Sequence, residues 1–313
     1  MPRTSRRTTV RHAVAALVVT LGVLTGCSGR GAGGGVPEAF EASPGVARAA
    51  VAVDAPVADL VAGFTDAAFD LLRTQPIEDN VVFSPASIGH AMLMARAAAD
   101  EPTGAAIDAA FALPGGRSAH EAWNAIDLQI RAGADASPDV QANLADRIWP
   151  ALGVQPDQAW IDLLASEHGT DVQGLDLAGD PQGSRSTIND WVGEQTEDRI
   201  PQLLPEGFIN GQTVLVLTDA LYFTAPWVVP FEQDRREGEF TRLNGSTVMT
   251  PLMHQVRVAD RHGRGDGFAA AEIPYAGGEF SMLVIVPDEG RFPDVRARLS
   301  GELLRSIDAT FGT

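Results

Sequence analysis

Residues 213–231 read TVLVLTDALYFTAPWVVPF and are predominantly apolar. Ten of its first eleven residues are apolar, β-branched or aromatic, with the single carboxylate Asp219 among them. Apolar residues on both faces of a strand are typical of the middle of a sheet that is covered on both sides. A carboxylate buried there costs several kcal/mol unless a donor bonds it. We therefore expect the rest of the chain to pack around this strand and to supply such a donor.

Length, composition and charge restrict the class of protein. The chain has 313 residues, of which 45% are hydrophobic, so it can bury a large core. Its net charge of −18 argues against nucleic-acid binding, which needs a basic face. The acidity favours solubility.

The N-terminus has the pattern of an export signal. Four arginines lie in the first eleven residues, and residues 13–24 form an apolar run that is too short to span a bilayer. The sequence Leu-Thr-Gly-Cys then ends at Cys27, and it matches the bacterial lipobox. We predict that residues 1–26 are a lipoprotein signal peptide and that Cys27 is lipidated, which would place the protein outside the cell on a lipid anchor, its only membrane contact. The alternative is an ordinary signal peptide with an incidental cysteine, and the choice between Sec and twin-arginine export stays open.

The remaining chain divides into a linker and a folded body. Residues 27–58 are rich in Gly, Ala and Pro and predict a flexible tether, and residues 59–313 predict the folded domain. Helical periodicity and caps predict five helices, with a short strand at residues 81–83. These helices cover residues 59–74, 84–98 (Ser84 as N-cap), 103–113 (Thr103 as N-cap), 156–168 and 186–197.

After the central strand, the pattern changes to hairpins. Asn244-Gly245 predicts a two-residue type I′ turn, and residues 272–275 and 280–286 predict a second hairpin. Helices that come first and strands that follow indicate an α+β fold rather than a doubly wound sheet.

Five segments, in order along the chain, resemble motifs of the serpin family. They are NVVFSPASI (80–88), INDWVGEQT with LLPE (188–196 and 203–206), ALYF with Trp227 (220–227), NGSTV through MHQ (244–255), and IPY with SMLVIVP (273–287). The resemblance covers residues 59–313. It implies a metastable α+β domain of three β-sheets and several helices.

The resemblance also implies a mechanism and a set of site residues. Serpins expose a reactive loop that a target protease cleaves, and the loop then inserts into the main sheet as a new strand. By position, Ser84 and Ser87 match the shutter serines beneath that sheet, Asp219 takes the place of the usual shutter asparagine, and Trp227 matches the breach tryptophan. An ionised Asp219 only accepts hydrogen bonds, so Ser84, Ser87 or a histidine would have to donate to it, or its pKa would have to rise.

The end of the sequence departs from the family pattern. The chain stops at Phe311-Gly-Thr313, before the hinge, the reactive loop, the last strands and the shutter histidine that the family places downstream. We expect either a fragment or a truncated gene, and a truncated product would be unstable because its sheet edges are exposed.

Other chemistry is disfavoured. The histidines His90, His120, His168, His254 and His262 are dispersed in sequence, so surface or capping roles are favoured over metal binding. The sequence has no GxSxG motif, so a hydrolase lacks its structural context. We expect no enzymatic activity and no cofactor.

The leading prediction is a monomeric, cell-surface inhibitor of serine proteases, with cysteine proteases as alternative targets and no nucleic-acid partner. The second prediction is a non-inhibitory surface lipoprotein with a serpin-like fold. Small residues in the hinge would favour the first, whereas bulky, charged or proline residues there would favour the second.

Overall fold

The computed structural model describes residues 16–21, 45–232, 236–254 and 261–311. Within these ranges it has eight helices and nine strands. The helices are α1 (Val57–Thr74), α2 (Pro85–Ala98), α3 (Glu101–Phe111), α4 (Ser118–Asp135), α5 (Gln158–Glu167), α6 (Pro181–Gln195), α7 (Phe292–Arg298) and α8 (Gly301–Thr310). The strands are β1 (Ala16–Leu21), β2 (Gln141–Pro150), β3 (Asp171–Val172), β4 (Leu215–Thr224), β5 (Arg236–Thr241), β6 (Thr247–Leu252), β7 (Arg261–Gly265), β8 (Phe268–Pro274) and β9 (Ser281–Pro287).

The strands form three sheets, as the sequence predicts for an α+β fold. The first has four strands in the order β1-β4-β2-β3, in which β4 pairs antiparallel with both β1 and β2. The others are the hairpin β5-β6 and the antiparallel sheet β7-β8-β9. The helices α1–α4 follow one another, α5 and α6 lie between β2, β3 and β4, and the hairpins come later in the chain.

The central strand β4 is covered on both faces, which confirms the prediction. On one face Leu217 packs into a cluster with Ala91 and Met94 of α2. On the other face Val216 packs into a cluster that includes Ile188 of α6. The sheet therefore lies between a layer that contains α2 and a layer that contains α6, and this sandwich explains the continuous apolar run.

Helix starts follow the predicted capping chemistry at α2 but not everywhere. Ser84 caps α2, because the Ser87 amide donates to its Oγ at 3.1 Å and Pro85 takes the first helical position. Helix α3 begins earlier than predicted: its cap is Asp100, whose carboxylate accepts from the amide of Thr103 at 3.0 Å. An aspartate cap likewise starts α6, at Asp180 instead of the predicted start at residue 186.

The first hairpin has a longer turn than predicted. The Gly245 amide donates to the Arg242 carbonyl at 2.9 Å, and Gly245 has φ +77°. A type I′ turn needs positive φ at both central residues, and Asn244 is not among the residues with positive φ. The loop is therefore a three-residue connection with glycine in the left-handed position, and the two-residue prediction is wrong. The second hairpin, β8-β9, is confirmed.

Seven elements were not predicted, and one predicted strand is absent. The helices α4, α7 and α8 and the strands β1, β2, β3 and β7 were missed. Residues 81–83, which the structure describes, form no strand. A strand is defined by a ladder with a neighbour, and none of the described strands pairs with these residues.

Some of the residues on which the N-terminal predictions depend, including Cys27, lie outside the described residues. Residues 16–21 of the predicted signal peptide form β1 beside β4. At the end of the predicted tether, Arg48 bonds Asp127 of α4 at 2.7 Å, and the Ala49 amide donates to the Ser166 carbonyl at 2.8 Å. The segment from residue 45 onward thus contacts the body, whereas the domain boundaries remain predictions. None of the helices in the described ranges is both long enough and apolar enough to cross a bilayer.

Gly89 in α2 lies against the ring of Phe64 in α1. A Cβ at this position would be 2.5 Å from ring carbons of Phe64, which is itself buried. We expect Gly89→Ala to lower the free energy of unfolding by about 1–3 kcal/mol through overpacking, in spite of the better helix propensity of alanine. Urea denaturation would measure the loss. Gly115→Ala is the control, because a Cβ there meets no atom within 4 Å, and equal effects of the two substitutions would contradict this packing.

Candidate functional site

A buried polar cluster lies under the centre of the four-stranded sheet. Helix α2 contributes Ser84 at its cap and Ser87 and His90 in its first two turns, and these residues are 9%, 3% and 1% exposed. Asp219 of β4 is 5% exposed. Because α2 packs against β4, the N-terminal half of the helix faces the one carboxylate of the strand.

His90 is the donor that Asp219 needs. Its Nδ1 lies 2.5 Å from Oδ2 of Asp219, and both side chains are almost completely buried. The face of the His90 ring stacks on Trp123 of α4, with centroids 4.0 Å apart and planes at 14°. The expectation that a serine or a histidine would bond Asp219 is therefore met by a histidine one turn beyond Ser87.

Two further histidines extend this contact into a chain. His90 Nε2 lies 2.8 Å from Nδ1 of His168, and His168 Nε2 lies 2.8 Å from Nδ1 of His120. His168 follows the last residue of α5, and His120 lies in the first turn of α4. Both rings are buried, at 1% and 5% exposure. The prediction of surface or capping roles is wrong for His90 and His120, whereas His168 is the C-cap residue of α5 but lies buried instead of at the surface. The topology brings together three residues that are far apart in sequence.

A second carboxylate lies beside Asp219. Asp146 of β2 is its directly opposite partner across the β2–β4 ladder. Opposite residues of an antiparallel pair point to the same face of the sheet, so both carboxylates belong to the cluster under α2. The Oδ2 atom of Asp146 is buried and has no hydrogen-bond partner among the described residues.

Ser84 and Ser87 have different partners. Ser84 Oγ accepts from the Ser87 amide, whereas the buried Ser87 Oγ has no hydrogen-bond partner among the described residues. Neither hydroxyl forms a hydrogen bond to Asp219. The structure places both serines near the cluster but gives the Asp219 contact to His90.

Trp227 lies where β4 leaves the four-stranded sheet. Its ring stacks on Tyr275 with centroids 4.3 Å apart, and the two residues form an isolated antiparallel bridge. Phe231 contacts Trp227 edge-on, and Phe223 of β4 contacts Tyr275. This aromatic cluster joins the end of β4 to the β8-β9 hairpin.

The comparisons with known proteins agree with this architecture. The sequence model of the family described as serpin, serine protease inhibitor, matches residues 62–311. The chain belongs to the serpin family. The prediction of the family and of its fold of three sheets and several helices is thereby confirmed.

Several serpins can be compared with the chain directly. An uncharacterised serpin-like protein of Thermococcus kodakarensis is 30% identical over 254 residues, which cover 80% of this chain and 58% of that protein. Antithrombin-III of Mus musculus is 28% identical over 234 residues, covering 72% of this chain and 50% of that protein. The solved structure of ovalbumin from emu has a TM-score of 0.72 at 23% identity, covering 79% of this chain and 68% of that one. The chain spans about half the length of the curated serpins that it matches.

Burial determines the proton affinities of the serpin's histidine chain. Burial, together with the charge of His90 and of the nearby Arg117 and Arg96, lowers the pKa of His120 to about 4. The pKa of His168 is well below its ordinary value, again mainly through burial and then through the charges of His90 and His120. Both rings therefore stay neutral at physiological pH.

Asp146 is shifted in the opposite direction. Burial raises its pKa from 3.8 to about 6, and the positive charge of His90 opposes this rise. Because the folded chain holds this proton more tightly than the unfolded chain, stability falls as the pH rises from about 4 to about 6. Above that range the ionised carboxylate destabilises the fold.

We expect Asp146→Asn to stabilise the serpin at pH 8 by about 3 kcal/mol, because it removes a buried carboxylate that is ionised at that pH. The gain should shrink as the pH falls through 6 and should vanish near pH 4, where the native carboxyl is already protonated. The melting temperature of both proteins measured from pH 4 to pH 8 tests this. Asp171→Asn, at an exposed carboxylate, should show no such trend. A variant that is less stable than the native chain at every pH would contradict the expectation.

A cavity lies at the outer end of the histidine chain, where His120 is part of its lining. It has a volume of about 350 Å³ and is lined by α2, α3, α4 and α5, including Arg96, Asp108, Arg117 and His120. Arg96 pairs with Asp108 at 2.8 Å, and Arg117 pairs with the buried Glu167. Among the described residues, no group of three His, Cys, Asp or Glu side chains could hold a metal ion.

Proposed function

We propose that the complete protein is a protease inhibitor that takes a cleaved reactive loop into its main sheet as a strand beside β4. One observation supports this above the others: the edge of β4 that lies away from β2 pairs with a further antiparallel strand, β1. Six consecutive residues of β1 pair with β4, from Ala16 opposite Ala220 to Leu21 opposite Leu215. A strand edge that is not paired exposes a row of backbone donors and acceptors, which is the usual basis of strand addition.

The strand in this position comes from the predicted signal peptide. If export removes residues 1–26 as we predict, β1 leaves with them and the edge of β4 is open to another strand. An inserted loop would then satisfy the same backbone groups along 215–220. Insertion therefore requires no new sheet, because the inserted loop would take the place of β1.

Residues around this edge would control its opening. We propose that Ser84, Ser87 and Asp219 form the shutter beneath the sheet, with His90 as the partner of Asp219 in this chain. We propose further that Trp227, which joins the end of β4 to the β8-β9 hairpin, marks the breach where insertion begins. Asp219→Asn should then change the rate of insertion as well as thermal stability.

The target would be a serine protease, with cysteine proteases as the alternative, and the family match and the antithrombin relative support this class of partner. The decisive experiment uses the complete gene product, incubated with trypsin-like, chymotrypsin-like and subtilisin-like proteases. We expect a complex with one of them that resists SDS. A protease whose catalytic serine is changed to alanine is the control, because it cannot form the acyl bond. Clean cleavage without a complex would reject inhibition and favour a non-inhibitory surface serpin.

We also propose that the protein is exported and anchored to the membrane through a lipid on Cys27, which is the only cysteine of the chain. The arginine-rich start, the short apolar run and the lipobox spacing support this. Metabolic labelling with palmitate should mark the native protein, and Cys27→Ser should abolish the label and release the protein from the membrane fraction. Labelling that persists in Cys27→Ser would contradict the anchor.

A further inference from the structure

When the three buried histidines are neutral, the hydrogen bonds between them all run in one direction from donor to acceptor. Asp219 accepts a hydrogen bond from Nδ1–H of His90, so Nε2 of a neutral His90 is an acceptor. The bond at this Nε2 must then come from Nδ1–H of His168, and the bond at Nε2 of His168 must come from Nδ1–H of His120. All three neutral rings carry their proton on Nδ1, and Nε2 of His120 is left as an acceptor at the outer end of the histidine chain.

The two ends of this chain have opposite environments. At the outer end, His120 lines the 350 Å³ cavity, where water can reach it. At the inner end, His90 lies against Asp219 and near Asp146, the paired carboxylates of β4 and β2. A proton can therefore enter at one end, and a positive charge is best stabilised at the other.

The charged groups around the three histidines also favour a positive charge on His90 over one on His120 or His168. The cations that face the histidine chain from the N-terminal segment, α2 and α4 disfavour a charge on His120 or His168. Of the carboxylates that face it from β2, β4, α4 and α5, those of β2 and β4 lie beside His90, whereas the other two each pair with one of these cations, the α4 carboxylate with Arg48 and the α5 carboxylate with Arg117. The cations are Arg48, Arg96 and Arg117, and the carboxylates are Asp146, Asp219, Asp127 and Glu167.

We propose that His120, His168 and His90 form a proton wire that delivers one proton from the cavity to His90, beside the two carboxyl groups at the centre of the sheet. A proton from water binds Nε2 of His120, and the Nδ1 proton of His120 passes to Nε2 of His168. The Nδ1 proton of His168 then passes to Nε2 of His90, which keeps its bond to Asp219. One proton has been taken up, His120 and His168 are again neutral with their proton on Nε2, and the charge resides on His90.

The consequence is that the charge beneath β4 follows the external pH although the cluster is buried. Below the pH of uptake, His90 is a cation bonded to Asp219, and above it the cluster loses this cation. This property does not depend on protease inhibition, since the proton uptake can be measured in the chain alone.

The test is a pH titration of the histidine side-chain nitrogens of the full chain by long-range proton–nitrogen NMR. We expect His120 and His168 to change from the Nδ1–H to the Nε2–H tautomer without becoming charged, at the pH where His90 becomes an imidazolium. A purely structural cluster would not show this coupled change of tautomer. If each ring instead becomes a cation independently, or if the tautomers stay fixed while His90 titrates, the proposal is overturned.

A variant at the cavity end provides a second test. His120→Gln can bond His168 but cannot relay a proton, so we expect His168 to keep one tautomer throughout the titration and His90 to take up its proton at least tenfold more slowly. His262→Gln, which changes a histidine of β7 in another sheet, should leave the tautomer switch of His168 and the rate of proton uptake by His90 unchanged. If His120→Gln fails to fold, the titration of the native chain still decides, because it requires no substitution. An unchanged tautomer switch of His168 in His120→Gln would overturn the proposal.

Discussion

Asp219→Ala is expected to lower the free energy of unfolding by about 3–5 kcal/mol, which is the usual effect of removing one partner of a buried, charge-assisted pair. The side chains of Asp219 and His90 are 7% and 2% exposed, so water cannot replace the lost carboxylate. Without it, Nδ1–H of His90 is left as a buried donor with no acceptor. Urea denaturation of the full chain at pH 6 and pH 8 would measure the loss.

Two further variants isolate the cause of that loss. Asp219→Asn keeps an oxygen that can accept from His90, so its cost should be smaller, about 1–2 kcal/mol. Asp171→Ala removes a carboxylate that is 67% exposed and pairs with Arg147, and its cost should stay below about 1 kcal/mol. If alanine and asparagine at position 219 have the same effect, the contact with His90 does not stabilise the fold in the way described.

Trp149→Ala is expected to cost about 3–5 kcal/mol, the range for removing a fully buried aromatic side chain. Trp149 of β2 is 0% exposed and packs with Ile188 and Val192 of α6 on the face of the sheet away from α2. Its Nε1–H also donates to Thr218 Oγ1 at 3.0 Å, so the substitution leaves a cavity and a hydroxyl that has lost its donor.

The matched comparison for Trp149 lies in the same cluster. Trp191 of α6 contacts Trp149 edge-on at 5.6 Å but is only partly buried. Trp191→Ala should therefore cost clearly less than Trp149→Ala. Trp149→Phe keeps most of the volume and should lose about 1–2 kcal/mol. An equal loss for both alanine variants would contradict the difference in burial between the two tryptophans.

The parts of the fold that follow local rules could be predicted from the sequence. The central strand was found because both faces of β4 are apolar, and the start of α2 was found because Ser84-Pro85 has cap chemistry. Strand β2 was missed for a physical reason: Asp146 and Arg147 interrupt its apolar pattern in the middle. Arg147 lies over the rings of Trp149 and Trp191 at 5.2 and 4.7 Å, and this contact cannot be read from the local sequence.

The candidate site was predicted only in part for the same reason. Asp219 was recognised as a buried carboxylate in need of a donor, because its desolvation follows from the strand alone. Its partner could not be identified, since His90, His120 and His168 have no common spacing and meet only when α2, α4 and the end of α5 converge. One signal was present: His90 stands two turns into a helix whose start was already placed beneath the strand.

The stacking of His90 on Trp123 gives the buried cluster an optical reporter. The rings lie 4.0 Å apart and nearly parallel, so the indole is in direct contact with the imidazole. An imidazolium withdraws electron density from an excited indole and quenches its emission, whereas a neutral imidazole does so much less. The tryptophan emission of the chain, to which Trp123 contributes as one of five tryptophans, should therefore dim when His90 gains its proton and recover when the proton leaves, so that the state of a group buried beneath the sheet can be followed in real time.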